Sequence, residues 1–348
     1  MRAAILGCGA MGTVLGAFLS RGGFPVDMID SYAEHVRALN ENGARVVGTE
    51  EFTAPVRALL PEEMQGIYDV VFLMIKQTAN AAALPALLPH LGPDSVVCTL
   101  QNGIPELDVA RYVGQERTIG GTLLWGATFV EPGVTRLTTS LEPKRLAGKA
   151  FFDVGETDGS LTPRLREITG ILEHMGKTDR VTDLMDARWC KLIINCAGSG
   201  MSAACGCTFG EVIDDPRALE CLGNLAYEAS LVGLRSGYDI VPSSSAEYLR
   251  ITLAPKRYQK FYYGLHAKDR AGKASMLQDL ERGRLTEVDM LNGVACELGR
   301  RTGTPTPYND AVVSVVHRME RGELPFSMSN LQYFPDIHYD AYELGEKS

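Results

Sequence analysis

The sequence has no Cys-x-x-Cys pair and no cluster of cysteine with histidine, although its 348 residues include eight cysteines. Cys8, Cys98, Cys190, Cys196, Cys205, Cys207, Cys221 and Cys296 are scattered, and the nearest two, Cys205 and Cys207, lack metal-ligand spacing. No metal site is therefore expected. Most of these cysteines sit in apolar stretches, which predicts buried free thiols. Basic residues are not in excess: 34 Lys and Arg against 43 Asp and Glu leave a net charge of −9, which argues against a nucleic-acid partner. No apolar run reaches the length of a membrane span, and the N terminus lacks the basic stretch and apolar core of a secretory signal. These absences predict a cytoplasmic protein that acts without membrane or nucleic acid. There is no internal repeat and no low-complexity linker. Hydrophobic residues make up 45% and charged residues 22% of the chain, as in globular proteins, and the length accommodates two domains.

The most informative stretch is near the start. Ala3 to Leu6 reads as a buried strand and runs into Gly7-Cys8-Gly9-Ala10-Met11-Gly12. A helical pattern follows, with Met11, Leu15, Phe18 and Leu19 on one face. This is G-x-G-x-x-G in the strand–turn–helix setting that gives the motif meaning. Gly7 permits the tight turn, Gly9 allows a pyrophosphate to approach the backbone, and Gly12 lets helix and strand pack closely. The helix N terminus then faces the phosphates. An ordinary glycine-rich turn is the alternative. Pro25 to Ile29 reads as a second strand, and Asp30 stands just past its end. A carboxylate there can accept both ribose hydroxyls of an adenosine and repel a 2′-phosphate. Ser31 and Tyr32 offer no positive charge to bind one. NAD(H) is therefore expected over NADP(H). The competing role for Asp30 is a helix N-cap.

The first half alternates strand and helix. Asp69–Ile75 and Ser95–Leu100 are continuous apolar runs, as in parallel strands covered on both faces. Tyr32–Asn42, Ala79–Leu88 and Ile104–Tyr112 read as helices. From Thr118 to Ala150 short strands with turns such as Glu131-Pro132-Gly133 suggest an antiparallel extension. From about Asp183 the chain is almost all helix, with Ala187–Ala204, Pro216–Ser236, Glu287–Thr302 and Tyr308–Arg321 carrying helical periodicity. The expected fold is thus α/β: a Rossmann-type doubly wound sheet with an antiparallel extension over residues 1–182, which binds the dinucleotide. An all-α domain over residues 183–348 would serve substrate binding and dimerisation. The cleft between them is the default active site.

Two loops leave strand ends, where ligands bind in open α/β sheets. One carries Lys76-Gln77 and the other Gln101-Asn102-Gly103. An ammonium and a carboxamide there could flank a nicotinamide and an anionic substrate; a solvated lysine and a simple Asn-Gly turn are the plain alternative. In the helical half, Lys191, Asn195 and Ser199 are spaced i, i+4, i+8 and project along one face of an apolar helix. A lysine there tends to a lowered pKa, which suits a general acid, unless its head simply reaches water. In Ser275–Gly293, Thr286 and Asp289 look like a capping box that places Glu287 in a first helical turn. Glu287 then either complements the helix dipole or holds a substrate hydroxyl.

In order along the chain, GCGAMG, Lys76, the QNG loop, the KLIIN segment and SMLQDxxxGRxTEVDxLNG resemble the ketopantoate reductases (2-dehydropantoate 2-reductases) over residues 1 to about 320. The resemblance implies reduction of 2-dehydropantoate to pantoate by a nicotinamide cofactor, with NADP(H) as the alternative to NAD(H). It implies Lys191 as general acid and Glu287 as the group binding the substrate hydroxyl. Asn102 would position nicotinamide and substrate, Asn195 and Ser275 would hold the substrate's polar groups, and Lys76 would lie near the nicotinamide. The implied partners are a small 2-oxo or 2-hydroxy acid and a second copy of the chain.

Three departures from the family pattern stand out. A basic residue after the second strand is replaced by Asp30-Ser31, and an Asn-Pro pair one turn beyond Asn195 is replaced by Ser199-Gly200. Ser199 would then offer a shorter substrate contact. The connection Pro242–Lys273 is longer than usual. From Lys256 to Lys273 it holds Lys256, Arg257, Lys260, Lys268, Arg270 and Lys273 against Asp269 alone, interleaved with Tyr258, Phe261, Tyr262, Tyr263 and His266. It reads either as a solvated helix with docked aromatics or as a cap over the cleft for a larger or more anionic substrate. The aromatic tail after Leu324 is expected to pack on its own domain or on a second subunit. A related dehydrogenase with another substrate, and a nucleotide-sensing protein without catalysis, remain the competing functions.

Overall fold

A computed structural model describes residues 1–240, 246–267 and 270–342. The chain divides into two units, Met1–Leu184 and Met185–Ser348.

In the first unit the elements run β1 (Ala3–Leu6), α1 (Ala10–Arg21), β2 (Val26–Ile29), α2 (Ala33–Asn42), β3 (Ala44–Gly48), β4 (Phe52–Ala54), β5 (Arg57–Leu59), β6 (Tyr68–Leu73), α3 (Asn80–Leu87), β7 (Leu91–Thr99), α4 (Glu106–Val113), β8 (Thr118–Leu123), β9 (Ala127–Glu131), β10 (Val134–Leu137), α5 (Leu141–Leu146), β11 (Phe152–Glu156), α6 (Pro163–Leu172) and β12 (Thr178–Arg180). An eight-stranded sheet has the order β12-β11-β8-β7-β6-β1-β2-β5. Its strands from β8 to β5 pair in parallel, while β11 runs antiparallel to β8 and carries β12. β1 is buried at every position, as unalternating apolar strands must be when both faces are covered. Register aligns the strand ends: Leu6 stands beside Ile29 and Leu73, and Leu73 beside Thr99. The turns that follow these residues therefore leave from one edge.

The antiparallel extension expected over Thr118–Ala150 is β11 on β8, just beyond that range; within it β8 pairs in parallel with β7, and β9 and β10 depart from the main sheet. They form a hairpin through Pro132 and Gly133 (φ +79°) and join β3 and β4 in a separate four-stranded sheet of order β4-β3-β10-β9. Val46, Thr135 and Leu137 are buried there, and α1 packs on this sheet as well as on the main one. The hairpin is tied down by His35 of α2, whose Nδ1 accepts the Gly133 N–H at 2.9 Å.

The second unit is helical, with α7 (Leu184–Ile194), α8 (Gly200–Cys205), α9 (Phe209–Asp214), α10 (Pro216–Arg235), α11 (Ala246–Thr252), α12 (Pro255–His266), α13 (Ser275–Glu281), α14 (Asn292–Thr302) and α15 (Pro307–Glu320). α10 starts where Asp215 accepts the N–H groups of Arg217 and Ala218 with Pro216 at the first helical position, a strong N-terminal signal. Helices α12, α14 and α15 pack around α10. The aromatics of α12 are docked: Tyr258 and Tyr262 are buried, while Lys256, Arg257, Lys260 and Tyr263 are exposed. Arg270 pairs with Asp214 and Lys273 with Glu281. Pro242, Lys268 and Asp269 lie outside the described residues. The tail packs on its own unit: Arg217 pairs with Asp336 at 3.4 Å, and Tyr308 Oη donates to Ile337 O at 2.7 Å.

Two local expectations are corrected. The helix expected from Glu287 begins at Asn292, and residues 287–291 form turns instead. The capping box fails because its members are engaged elsewhere. Thr286 gives both its N–H and its hydroxyl to Glu320, at 2.7 and 2.8 Å, and Asp289 pairs with His317 at 3.1 Å. All eight cysteines are buried free thiols. Among the described residues no helix is long and apolar enough to cross a membrane.

Candidate active site

In the first unit the residues singled out from the sequence gather at the edge formed by the ends of β7, β6, β1 and β2. The turn Gly7–Gly12 is fitted to its neighbours. Gly7 has φ +103°, and a Cβ there would strike the Ile75 backbone; a Cβ on Gly12 would strike the Gly7 carbonyl. Around Gly9, by contrast, a Cβ would meet nothing within 4 Å. Gly9 is the N-cap of α1, and with no side chain to cap the first turn it leaves the N–H groups there, over Ala10 and Met11, for a ligand. Packing therefore demands glycine at 7 and 12, while open space at 9 is the cradle a pyrophosphate fits.

Asp30 is joined to that turn. Its Oδ2 accepts the Cys8 N–H at 2.7 Å and its Oδ1 the Tyr32 N–H at 2.9 Å. The second bond is a local turn onto Tyr32, which is itself the N-cap of α2, so Asp30 does not cap that helix as the competing role required, and the carboxylate instead supports the glycine turn. His35 supports the same turn from below, with Nε2 at 2.7 Å from Cys8 O. Because Nδ1 accepts from Gly133, Nε2 carries the proton. Burial lowers the His35 pKa, which keeps that tautomer neutral.

The two strand-end loops are laced together. Gln77 Nε2 donates to Asn102 O at 2.6 Å, and Gln101 Nε2 donates to Ile75 O at 2.9 Å and to Asn80 Oδ1 at 2.7 Å. Lys76 is exposed and Asn102 half-buried beside this lacing, and Gly103 turns the second loop with φ +75°. The sequence placed Gln77 and Gln101 in these loops without giving either a part of its own; the structure shows both amides tying the loops together.

In the second unit Lys191, Asn195 and Ser199 lie on one continuous helical rod. It consists of α7, a π-helical turn over Asn195–Ser199, and α8. From Arg188 to Cys205 every residue is buried except Lys191, Ile194, Asn195 and Ser199. The stripe expected from spacing is thus the open line of an otherwise enclosed rod. Ser275 is exposed at the first position of α13, a helix packed on the π turn and α8. Ala274 N–H donates to Ser202 Oγ of α8 at 3.3 Å. Glu287 is 4% exposed, on the turn ahead of α14. That turn is fixed at one end by the Thr286–Glu320 bonds and at the other by Asn292, whose Nδ2 donates to Cys196 O in the π turn at 3.0 Å.

Chemically, the first unit offers a glycine turn, a helix N terminus and a carboxylate suited to a dinucleotide. The second offers an amine, an amide and a hydroxyl in a row, with a buried carboxylate tied to the same rod.

Comparison with known proteins follows this division. A family described as ketopantoate reductase PanE/ApbA matches residues 3–145, and its C-terminal counterpart matches residues 183–320. The chain is 31% identical to a 2-dehydropantoate 2-reductase of Mesorhizobium japonicum, over 92% of this chain and 99% of that one. It is 27% identical to a 2-dehydropantoate 2-reductase of Archaeoglobus fulgidus, over 92% and 98%. Among solved structures, a D-mandelate dehydrogenase with NADH and anilino(oxo)acetate superposes with TM-score 0.78 at 23% identity, covering 93% of this chain and 99% of that one. A PanE/ApbA family ketopantoate reductase from Ralstonia eutropha gives TM-score 0.78 at 24% identity, with the same coverage.

Proposed function

The chain belongs to the ketopantoate reductase family, a family of oxidoreductases, and on that premise we propose that it reduces a 2-oxo acid to the 2-hydroxy acid with NADH. The observation that carries this reading is the half-buried stripe Lys191, Asn195, Ser199 on a rod whose other side chains from Arg188 to Cys205, apart from Ile194, are enclosed. An apolar helix that leaves a lysine, an amide and a hydroxyl half-buried in one line is suited to meet a polar ligand.

The residues that would hold the dinucleotide are Gly7 to Gly12 at the pyrophosphate, Asp30 at the adenosine ribose, and Lys76 and Asn102 at the nicotinamide end. A reduced nicotinamide bound there would supply hydride chemistry for the carbonyl carbon of a 2-oxo acid. Charge then develops on the carbonyl oxygen, where the Lys191 ammonium stabilises it and gives up a proton. Asn195 and Ser275 hold polar groups of the substrate, with Ser199 beside them. Glu287 accepts a hydrogen bond from a substrate hydroxyl.

NADH is favoured over NADPH because Asp30 stands at the end of β2 with both oxygens fixed by backbone N–H groups. A 2′-phosphate would meet that carboxylate and, next along, Glu34, which Tyr32 Oη holds at 2.8 Å.

Ketopantoate is the first substrate to test. The short Ser199 side chain favours a second reading, in which a bulkier 2-oxo acid is preferred. Following NADH absorbance with ketopantoate and a panel of 2-oxo acids separates the readings. Turnover of ketopantoate supports the first, turnover of bulkier acids alone supports the second, and NADH binding without any turnover contradicts both.

A further inference from the structure

The rod that carries Lys191 changes its winding at a telling place. In an unbroken α-helix each step of four residues overshoots a full turn by about 40°, so Ser199 would stand about 80° round from Lys191. The π turn over Asn195–Ser199 is wound more widely. It takes back part of that drift and returns Ser199 toward the line of Lys191 and Asn195. A π turn is uncommon and disturbs the backbone ladder. Here the Gly200 N–H, which an α-helix would direct to Cys196 O, goes to Asn195 O and Ala197 O instead.

Cys196 O is supplied from outside the rod. Asn292 Nδ2, on α14, donates to it at 3.0 Å and to Asn309 Oδ1 at 2.9 Å. Asn309 Nδ2, on α15, donates in turn to Glu228 Oε2 of α10 at 2.8 Å. Glu228 also accepts the backbone N–H groups of Tyr308 and Asn309, each at 3.0 Å, and the Tyr339 hydroxyl at 2.9 Å. Glu228 Oε2 accepts both the backbone N–H and the side-chain Nδ2 of Asn309, so it dictates the direction of the chain. It turns the Asn309 amide nitrogen toward itself and the Asn309 oxygen toward Asn292. Asn292 must then present its nitrogen to both Asn309 and Cys196. Glu228, Asn292 and Asn309 are all buried, at 1%, 0% and 0% exposure. From another side Gly198 admits Tyr262, whose ring would lie 2.7 Å from a Cβ at that position.

We propose that Asn292, Asn309 and Glu228 are positioning residues for the reduction. Their hydrogen-bond chain holds Asn195–Ser199 in its π winding and keeps Ser199 in line with Lys191 and Asn195. This rests on the reading that the stripe faces the substrate. Tyr339 closes the far end of the chain, so the docked tail belongs to the same support.

The test uses the full-length protein. Hydrogen exchange is measured first, because it does not depend on turnover. Asn292→Ala should speed exchange of the amides from Asn195 to Met201 by about tenfold or more, leaving the first turns of α7 protected. Unchanged exchange would overturn the proposal. With the best 2-oxo acid, Asn292→Ala should raise KM about tenfold while kcat changes much less and NADH affinity stays the same. Ser199→Ala alone should also raise KM, and should add nothing in the Asn292→Ala background. A fully additive pair, or an unchanged KM in Asn292→Ala, overturns the positioning role, since a merely structural asparagine would not couple to Ser199. If Asn292→Ala does not fold, Asn309→Ser puts the same question one link further from the turn. A wild-type protein that reduces no 2-oxo acid overturns the functional reading and the positioning role with it. Exchange would still show whether the chain holds the turn.

Discussion

The backbone N–H of Cys8 donates to Asp30 Oδ2 at 2.7 Å, so the residue proposed to select the adenosine end of the cofactor also braces the turn proposed to receive its phosphates. Asp30→Ala should therefore act twice. The KM for NADH should rise about tenfold or more, in line with loss of charge-assisted hydrogen bonds, while the handicap against NADPH shrinks. Steady-state kinetics with both cofactors check this. A wild-type protein that prefers NADPH would contradict the assignment.

Two glycines three residues apart, Gly9 and Gly12, should respond in opposite ways. At Gly9 a Cβ meets nothing within 4 Å, whereas at Gly12 it meets the Gly7 carbonyl. Gly9→Ala should leave the melting temperature close to wild type and weaken NADH binding about tenfold or more, because a methyl group occupies the pyrophosphate's approach. Gly12→Ala should lower the melting temperature outright, as overpacking costs roughly 1–3 kcal/mol. Thermal melts and NADH titration of the two variants distinguish ligand space from packing space.

Gln101 is 5% exposed and reaches both Ile75 O and Asn80. Gln101→Leu should cost about 1–3 kcal/mol of stability through the partners it leaves unsatisfied. It should also loosen the loop that carries Asn102, lowering kcat/KM beyond what the folded fraction explains. Denaturant unfolding and kinetics on the same preparation test both parts.

Much of this arrangement was legible in the residues. The apolar run into GCGAMG, the acid past the second strand and the polar residues after DVVFLMI and SVVCTL place one edge of a parallel sheet, because strand ends and helix starts are local signals. The destination of β9 and β10 was not legible. Alternating short strands show which face is buried but not which sheet they join, and their partner β3 lies some 90 residues earlier in the chain. Nor was the π turn, because spacing of i, i+4, i+8 suits either winding; Gly198 and Gly200 were its only trace. Thr286 and Asp289 misled because a capping box and a pair of tertiary contacts use the same residue types.

Glu228 gives a pH dependence of defined sign. Burial raises its pKa from 4.5 to about 7, although the N–H groups of Tyr308 and Asn309, the Asn309 amide and the Tyr339 hydroxyl all pull it down. The folded state thus holds this proton more tightly than the unfolded chain. The stability it contributes is complete below about pH 4.5 and is lost as pH rises through about 7, with a slope of up to about 1.4 kcal/mol per pH unit. Glu228→Gln should flatten that part of the profile, whatever its effect on overall stability. Urea unfolding of both proteins across this range checks it, and parallel profiles would contradict it.

The most direct test of the whole account is Lys191→Ala, measured for NADH affinity and for turnover of the best 2-oxo acid in the same preparation. The account predicts unchanged NADH affinity and turnover lower by about 10² to 10⁴, the usual worth of a positioned general acid. Turnover within a few-fold of wild type would contradict it.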